Sequence, residues 1–186
     1  MASNIITPRP RITSHAPKDY SCPFCSFLGS YYTGADDRNA LLRASDVVAE
    51  SQLSIAFLSI KWWPKNPGHA LVVPKQHFES IYDMPHEYLA DVAVLSQLVA
   101  VGMKRAYACE GISTRQHNEP AGQQDVWHYH QHVFPRWKDD NLYTSQDERL
   151  VTPEERLPYA VKLRGAIRLT LEMAAPGLAQ NLPPIR

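Results

Sequence analysis

The stretch that most constrains this chain is His128-Tyr129-His130-Gln131-His132, which carries three imidazoles at every second position. Read as a β-strand, that spacing sets all three on one face. An ordinary core face is a poor home for them. Each ring brings two nitrogens that need partners, and burying one unpaired costs roughly 1–3 kcal/mol. The plain alternative is a solvent-facing strand that happens to carry histidines. With eight histidines in 186 residues, strict alternation of three is not expected by chance, so the pattern points to chemistry or to metal.

The residues around it support a resemblance. The three histidines are followed by Val133 and Phe134, then Pro135, Arg136, Trp137 and Asp140. Upstream lies a second block, Asn66-Pro67-Gly68-His69-Ala70-Leu71-Val72-Val73-Pro74-Lys75-Gln76-His77. Two ordered blocks about sixty residues apart resemble the histidine triad (HIT) superfamily of nucleotide hydrolases and transferases, across roughly residues 22 to 143. The tail after the triad is similar to the dinucleoside polyphosphate hydrolase and phosphorylase branch. Gln131 departs from the apolar residue usual there, but a strand position facing away from the histidines changes only the back of the strand.

The chain reads in order as follows. Residues 1–20 hold three prolines and little apolar periodicity and suggest a flexible arm. Asp46 to Ser51 and Leu53 to Ile60 read as strands of a hairpin turning across Glu50 to Gln52, and Lys61 to Pro67 as a loop with two prolines and a tryptophan pair. His69 to Lys75 resumes as a strand. From Pro85 to Cys109, residues Tyr88, Leu89, Val92, Leu95, Val99, Met103 and Ala106 recur at helical intervals, giving an amphipathic helix that carries core. Gly111 to His117 reads as a strand and Asn118 to Gly122 as a turn, with the triad strand running from Val126. Pro153 to Arg168 looks helical despite Pro158, and the tail from Pro176 irregular. The expected organisation is an arm (1–20), a HIT-like domain (21–145) and a C-terminal helical extension (146–186). The expected fold class is α+β, an antiparallel sheet of about five strands with the long helix packed across it.

Charge narrows the partners. Nineteen basic residues balance nineteen acidic ones with no basic run, so a nucleic-acid polymer is a poor candidate and a small anionic ligand remains open. No segment approaches the ~20 apolar residues of a membrane span, and the first twenty residues lack the apolar run of a signal peptide. A cytoplasmic location is expected, which suits a chain of three cysteines.

Phosphoryl or nucleotidyl transfer needs an uncharged, basic nucleophile near neutral pH, and imidazole, with an ordinary pKa of about 6.5, qualifies. The resemblance implies that His130 forms a covalent nucleotidyl-histidine and that His132 donates to the α-phosphate. It places His69, Asn118 and Gln124 among the substrate contacts, with Asp125 where Ser or Thr is commoner; an anionic Asp facing the site would repel phosphate. It places Phe57, Ser59 and Ile60 at the nucleoside, with Ser59 where relatives carry Asp or Asn for the ribose. It also implies a structural zinc on Cys22, Cys25, His77 and His128, a closed four-ligand set, and a homodimer. Two other classes remain open from the residues alone: a hydrolase with a catalytic metal on the alternating histidines, and a nucleotide-binding sensor without turnover.

Overall fold

The computed structural model describes residues 13–35 and 40–174. The expected irregular tail from Pro176 and most of the N-terminal arm lie outside them. From Ser14 on, the arm is tied down, because Ser14 Oγ and the His15 backbone N–H both donate to the Glu79 carboxylate.

The first helix, α1 (Pro23–Thr33), falls where the reading of the sequence places no helix. It starts where it does because the Cys22 side chain accepts from the Cys25 N–H, the role of an N-cap, and Pro23 sits in the first turn, where its missing N–H costs nothing. It ends at Gly34, whose φ of 71° closes the helix with bonds to the Ser30 and Tyr31 carbonyls. Phe24, Phe27 and Leu28 form its buried face.

Seven strands follow in the chain: β1 (Val47–Glu50), β2 (Ser54–Leu58), β3 (Lys61–Trp62), β4 (Ala70–Pro74), β5 (Gly111–Gln116), β6 (Gln131–Arg136) and β7 (Arg149–Leu150). Five of them form an antiparallel sheet in the order β1-β2-β4-β6-β5. The central strands β2 and β4 are buried at every residue, which explains their near-continuous apolar sequence, SIAFL and ALVVP. The long helix α2 (His86–Tyr107) crosses the sheet with Val92, Leu95, Val99 and Met103 inward. The α+β class, the five strands and the helix laid across them thus match the expectation from sequence.

Three local readings are corrected. The triad strand begins at Gln131, not Val126, so His128 and His130 lie in the segment that leads into the ladder, with only His132 paired, to Leu71 and Arg115. The Lys61–Pro67 stretch is not all loop, because β3 pairs with β7 in a separate two-stranded sheet. Nothing local signals this, since β7 arrives from almost ninety residues downstream. The third concerns the last helix, α3, which runs over Pro153–Ala174, beyond Arg168.

Helix α3 is part of the same core rather than an appendage. Ala160, Leu163 and Ile167 are buried with Val99 and Met103 of α2. The close approach is possible at Gly102, where an added Cβ would lie 2.6 Å from Ile167 Cγ1 and 3.0 Å from Leu163 Cδ1. A mid-helix glycine costs about 1 kcal/mol in propensity, and here it permits the interlock. The second tie is a buried ion pair. Arg156, 1% exposed, donates from Nε to Asp46 Oδ1 and from Nη2 to Asp46 Oδ2, both at 2.8 Å, and reaches the carbonyls of Leu41 and Val151. Asp46→Asn removes the countercharge from a guanidinium that cannot reach water. The expected loss of unfolding free energy in urea denaturation is about 3–5 kcal/mol, and a variant within about 1 kcal/mol of wild type would show that the pair does not anchor α3.

Candidate functional site

Two sites share His128. At the first, Cys22 at the head of α1, Cys25 one turn on, His77 after β4 and His128 before β6 bring four ligand atoms within 4.8 Å of one another. Cys22 Sγ lies 3.3 Å and Cys25 Sγ 3.6 Å from His128 Nδ1, and Cys25 Sγ lies 3.4 Å from His77 Nδ1. A tetrahedral ion with a sulfur arm of about 2.3 Å and a nitrogen arm of about 2.0 Å would hold two such donors about 3.5 Å apart. The spacing therefore fits a closed soft-ligand metal site.

Protonation agrees with that fit. His128 is completely buried, and burial is the main cause that pushes its pKa down to about 4, so the ring is neutral. Its Nε2 lies 3.0 Å from the Pro74 carbonyl and so carries the hydrogen, leaving the Nδ1 lone pair toward the thiols. Burial and the neighbouring Cys22 push the Cys25 thiol up to about 11, so a thiolate pair here calls for a cation.

The second site is a cavity of about 640 Å³. His130, only 2% exposed, opens onto it. His130 Nδ1 lies 2.7 Å from the His128 carbonyl and donates to it, so the lone pair is on Nε2, whose nearest charged neighbour is Asp125 Oδ1 at 3.6 Å. His132 lies next along, 4.9 Å between ring centroids. Its Nδ1 is 3.0 Å from His69 Nε2, and His69 Nδ1 is 3.1 Å from the Lys61 carbonyl. Only one assignment satisfies all three groups: His69 donates to Lys61 O and His132 donates to His69. Burial pushes His69 down to about 3 and, with the flanking imidazoles and Arg115, holds His132 well below the usual histidine range. The imidazoles of His69, His128 and His130 are thus buried, with a partner at each nitrogen except His130 Nε2, which opens onto the cavity.

The cavity has two different ends. Phe24 meets His128 and His130 edge-on and packs with Phe27 against Phe57, making an apolar end near α1. Beyond His132, toward Phe134, the lining is Trp63 and Arg115, while His117 meets His132 edge-on, 5.6 Å between ring centroids. Lys61 stands at the rim, 3.2 Å from Glu148 Oε1 and 3.9 Å from Asp125 Oδ2.

Of the residues singled out from sequence, Phe57, Ser59, Ile60, His69, His130 and His132 line this cavity, while Cys22, Cys25, His77 and His128 form the cluster beside it. Asn118 and Gln124 are not in the lining. Asn118 Oδ1 accepts from the Ile81 N–H and its amide binds Gln116; Gln124 donates to the carbonyls of Glu79 and Val126 and accepts from the Glu119 N–H. Their side chains are consumed in shaping the turn before the triad. Their neighbours Gln123 and Asp125 line the cavity instead, with Asp125 Oδ1 3.6 Å from His130 Nε2. Ser59 Oγ accepts from the Lys61 N–H at 3.2 Å. Sequence reasoning missed Arg115, His117 and Glu148. A signal existed for two of these: Arg115 and His117 alternate along the β5 segment opposite the triad strand. Glu148 had none, because it depends on β7 folding back.

Comparison with known proteins agrees with the geometry. The HIT domain family matches residues 43–139. An adenosine 5'-monophosphoramidase of Schizosaccharomyces pombe is 33% identical over 58% of this chain and 77% of its own length. A bis(5'-adenosyl)-triphosphatase of Dictyostelium discoideum is 30% identical over 54% of this chain and 66% of its own. The crystal structure of a zinc-bound histidine triad family protein from Mycobacterium smegmatis superposes with a TM-score of 0.65 at 28% identity, covering 83% of this chain and 98% of that one. With the family match spanning more than half of the sequence, and with both of its motif blocks on the cavity wall, this chain belongs to the HIT domain family.

Proposed function

We propose that this protein is a nucleotide hydrolase or nucleotidyl transferase that attacks the α-phosphate of a dinucleoside polyphosphate or nucleoside phosphoramidate through His130. The observation that carries the reading is the 2.7 Å bond from His130 Nδ1 to the His128 carbonyl, which puts a lone pair on Nε2 at the cavity. In the first step that pair forms the P–N bond while the bond from the α-phosphorus to the leaving group breaks. The leaving oxygen or nitrogen takes the electron pair, and an amine leaving group also takes a proton from solvent. In the second step water attacks the same phosphorus, the P–N electrons return to Nε2, and the nucleoside monophosphate leaves with the water's hydroxyl while its proton passes to solvent.

His132 serves the charge that grows on the phosphate oxygens. It is neutral in the free protein, and bound phosphate favours its protonated form, which donates from Nε2 while Nδ1 stays bonded to His69. The apolar end around Phe57, with Ile60, suits a nucleobase, and Ser59 stands near the ribose. Asn118 and Gln124 act in this reading by holding the turn from which Asp125 reaches the site. The relatives named for phosphoramidate and triphosphate cleavage support the reaction type.

The Cys22, Cys25, His77 and His128 set would hold a structural zinc, whose bound charge stabilises the thiolates. The chain's own residues do the rest: with His128 fixed, its carbonyl fixes His130. Subunits pair as homodimers in this reading, as light scattering on a sized column at micromolar concentration should show; a monomer there would refute it. The compartment remains an inference from sequence, cytoplasmic; among the described residues no helix is long and apolar enough to cross a membrane.

Two experiments test the core of the proposal. His130→Asn preserves the bond to the His128 carbonyl through its amide but has no nucleophile, so kcat on diadenosine triphosphate or adenosine 5'-phosphoramidate should drop by several orders of magnitude with nucleotide still bound. The wild type should yield an acid-labile adduct and retention at phosphorus. Turnover in His130→Asn within about tenfold of wild type would move the attack to water, and nucleotide binding by the wild type without adduct or turnover would make the protein a sensor. For the metal, elemental analysis should find about one zinc per chain, with zinc and several kcal/mol of stability lost together in Cys22→Ser. Wild type that carries no zinc when purified without chelator, and whose stability Cys22→Ser leaves unchanged, would sink the assignment.

A further inference from the structure

Resting on that reading of the site, we propose that Arg115 is a specificity-determining residue that binds a phosphate of the leaving group, so that the protein prefers substrates whose leaving group is anionic. Arg115 lines the cavity and lies opposite His132 in the β5–β6 ladder. Its guanidinium carbon is 4.5 Å from the centroid of the Phe134 ring and 5.4 Å from those of Trp63 and Tyr143, so three aromatic faces hold it in place. No carboxylate bonds it: Glu148, whose Oε1 is held by Lys61, acts on it only through space, as does the like charge of Arg136. Among the described residues its guanidinium makes no hydrogen bond or ion pair, and its buried Nε has no partner.

The contrast with its neighbours isolates it. Arg136, on the other strand and also stacked on Tyr143, is saturated by two 2.6 Å bonds to Asp140 and a 2.8 Å bond to Ser113. Lys61 is shared between Glu148 and Asp125, which leaves those two carboxylates neutralised in part at the rim. Arg115 is therefore the cation of the cavity wall whose charge is not already spent. An aromatic cage costs a ligand little ordering, because the fork is already oriented, and the planar fork matches phosphate oxygens.

Position decides which phosphate. The apolar end with Phe24 and Phe57 adjoins His130, whereas Arg115 and Trp63 lie past His132 and against Phe134, at the opposite end of the same row of rings. With the nucleoside in the apolar end and the α-phosphorus at His130, the leaving group extends toward Arg115. A polyphosphate leaving group places its charge there. An amine leaving group gives Arg115 nothing to bind.

The test compares kcat/KM on diadenosine triphosphate and on adenosine 5'-phosphoramidate for wild type, Arg115→Gln and Arg115→Lys. The ratio of triphosphate to phosphoramidate should fall about 10–100-fold in Arg115→Gln, the loss typical of charge-assisted hydrogen bonds, with Arg115→Lys between. The inhibition constant of inorganic triphosphate should rise by a similar factor. Should Arg115→Gln fail to fold, Arg115→Lys, which keeps the charge on the aromatic cage, carries the test, with at least a threefold fall in the ratio expected. A ratio unchanged within threefold in the folded variants, whether the two activities hold or fall together, overturns the role of Arg115 alone. A wild type that turns over neither substrate overturns the reading of the site itself.

Discussion

His128 is a hinge between stability and chemistry, because three of its atoms are committed to three different parts of the molecule. Nδ1 faces the thiols of Cys22 and Cys25, Nε2 bonds the carbonyl that ends β4, and the backbone oxygen takes the Nδ1 hydrogen of His130. The head of α1, the central sheet and the His130 ring are thereby referenced to one residue. Precision of this kind is what the proposed nucleophile needs, since a displacement of about 1 Å can cost two orders of magnitude in rate. A loop carrying His130 alone would not supply it. The buried carbonyl and the ligand cluster do so before any substrate arrives.

A second chain of bonds sets the other histidine. His132 leans on His69, and His69 on the Lys61 carbonyl. Lys61 belongs to β3, whose partner is β7, and β7 leads directly into α3, held by the Asp46–Arg156 pair. The C-terminal part of the chain thus reaches the active centre through backbone pairing, and Glu148 at its edge joins the cavity rim. A division of the chain at residue 146 hides this connection, because short strands with no period of their own leave no local trace.

What the sequence made legible were features written within one element or one motif. The period of α2 and the apolar runs of β2 and β4 each express a local rule, and each led to the right piece of fold, whereas the spacing of the histidines pointed to the cavity although only His132 lies in the strand. The features that escaped it depend on tertiary closure. Gln124 and Asp125 are adjacent polar residues, and only the conformation of the turn decides which one faces inward; Gln123, at φ 66°, gives that turn its shape. The polar demand of the triad was read correctly, and burial of His128 and His130 is tolerable because a carbonyl takes one nitrogen of each. Arg115 lay in plain view on an alternating strand, but its lack of a carboxylate partner is a fact about space.

The missing side chain at Gly102 has a consequence for the wider family. With Ile167 standing where a Cβ would be, α2 and α3 can adopt this spacing only if that one position stays bare. A relative with a larger residue there must carry smaller side chains at the positions of Ile167 and Leu163 or hold its last helix farther out. One letter in the long helix, read with those two, therefore serves as a diagnostic of how the C-terminal third of a related chain is docked, and it sorts such chains by their amino-acid sequences alone.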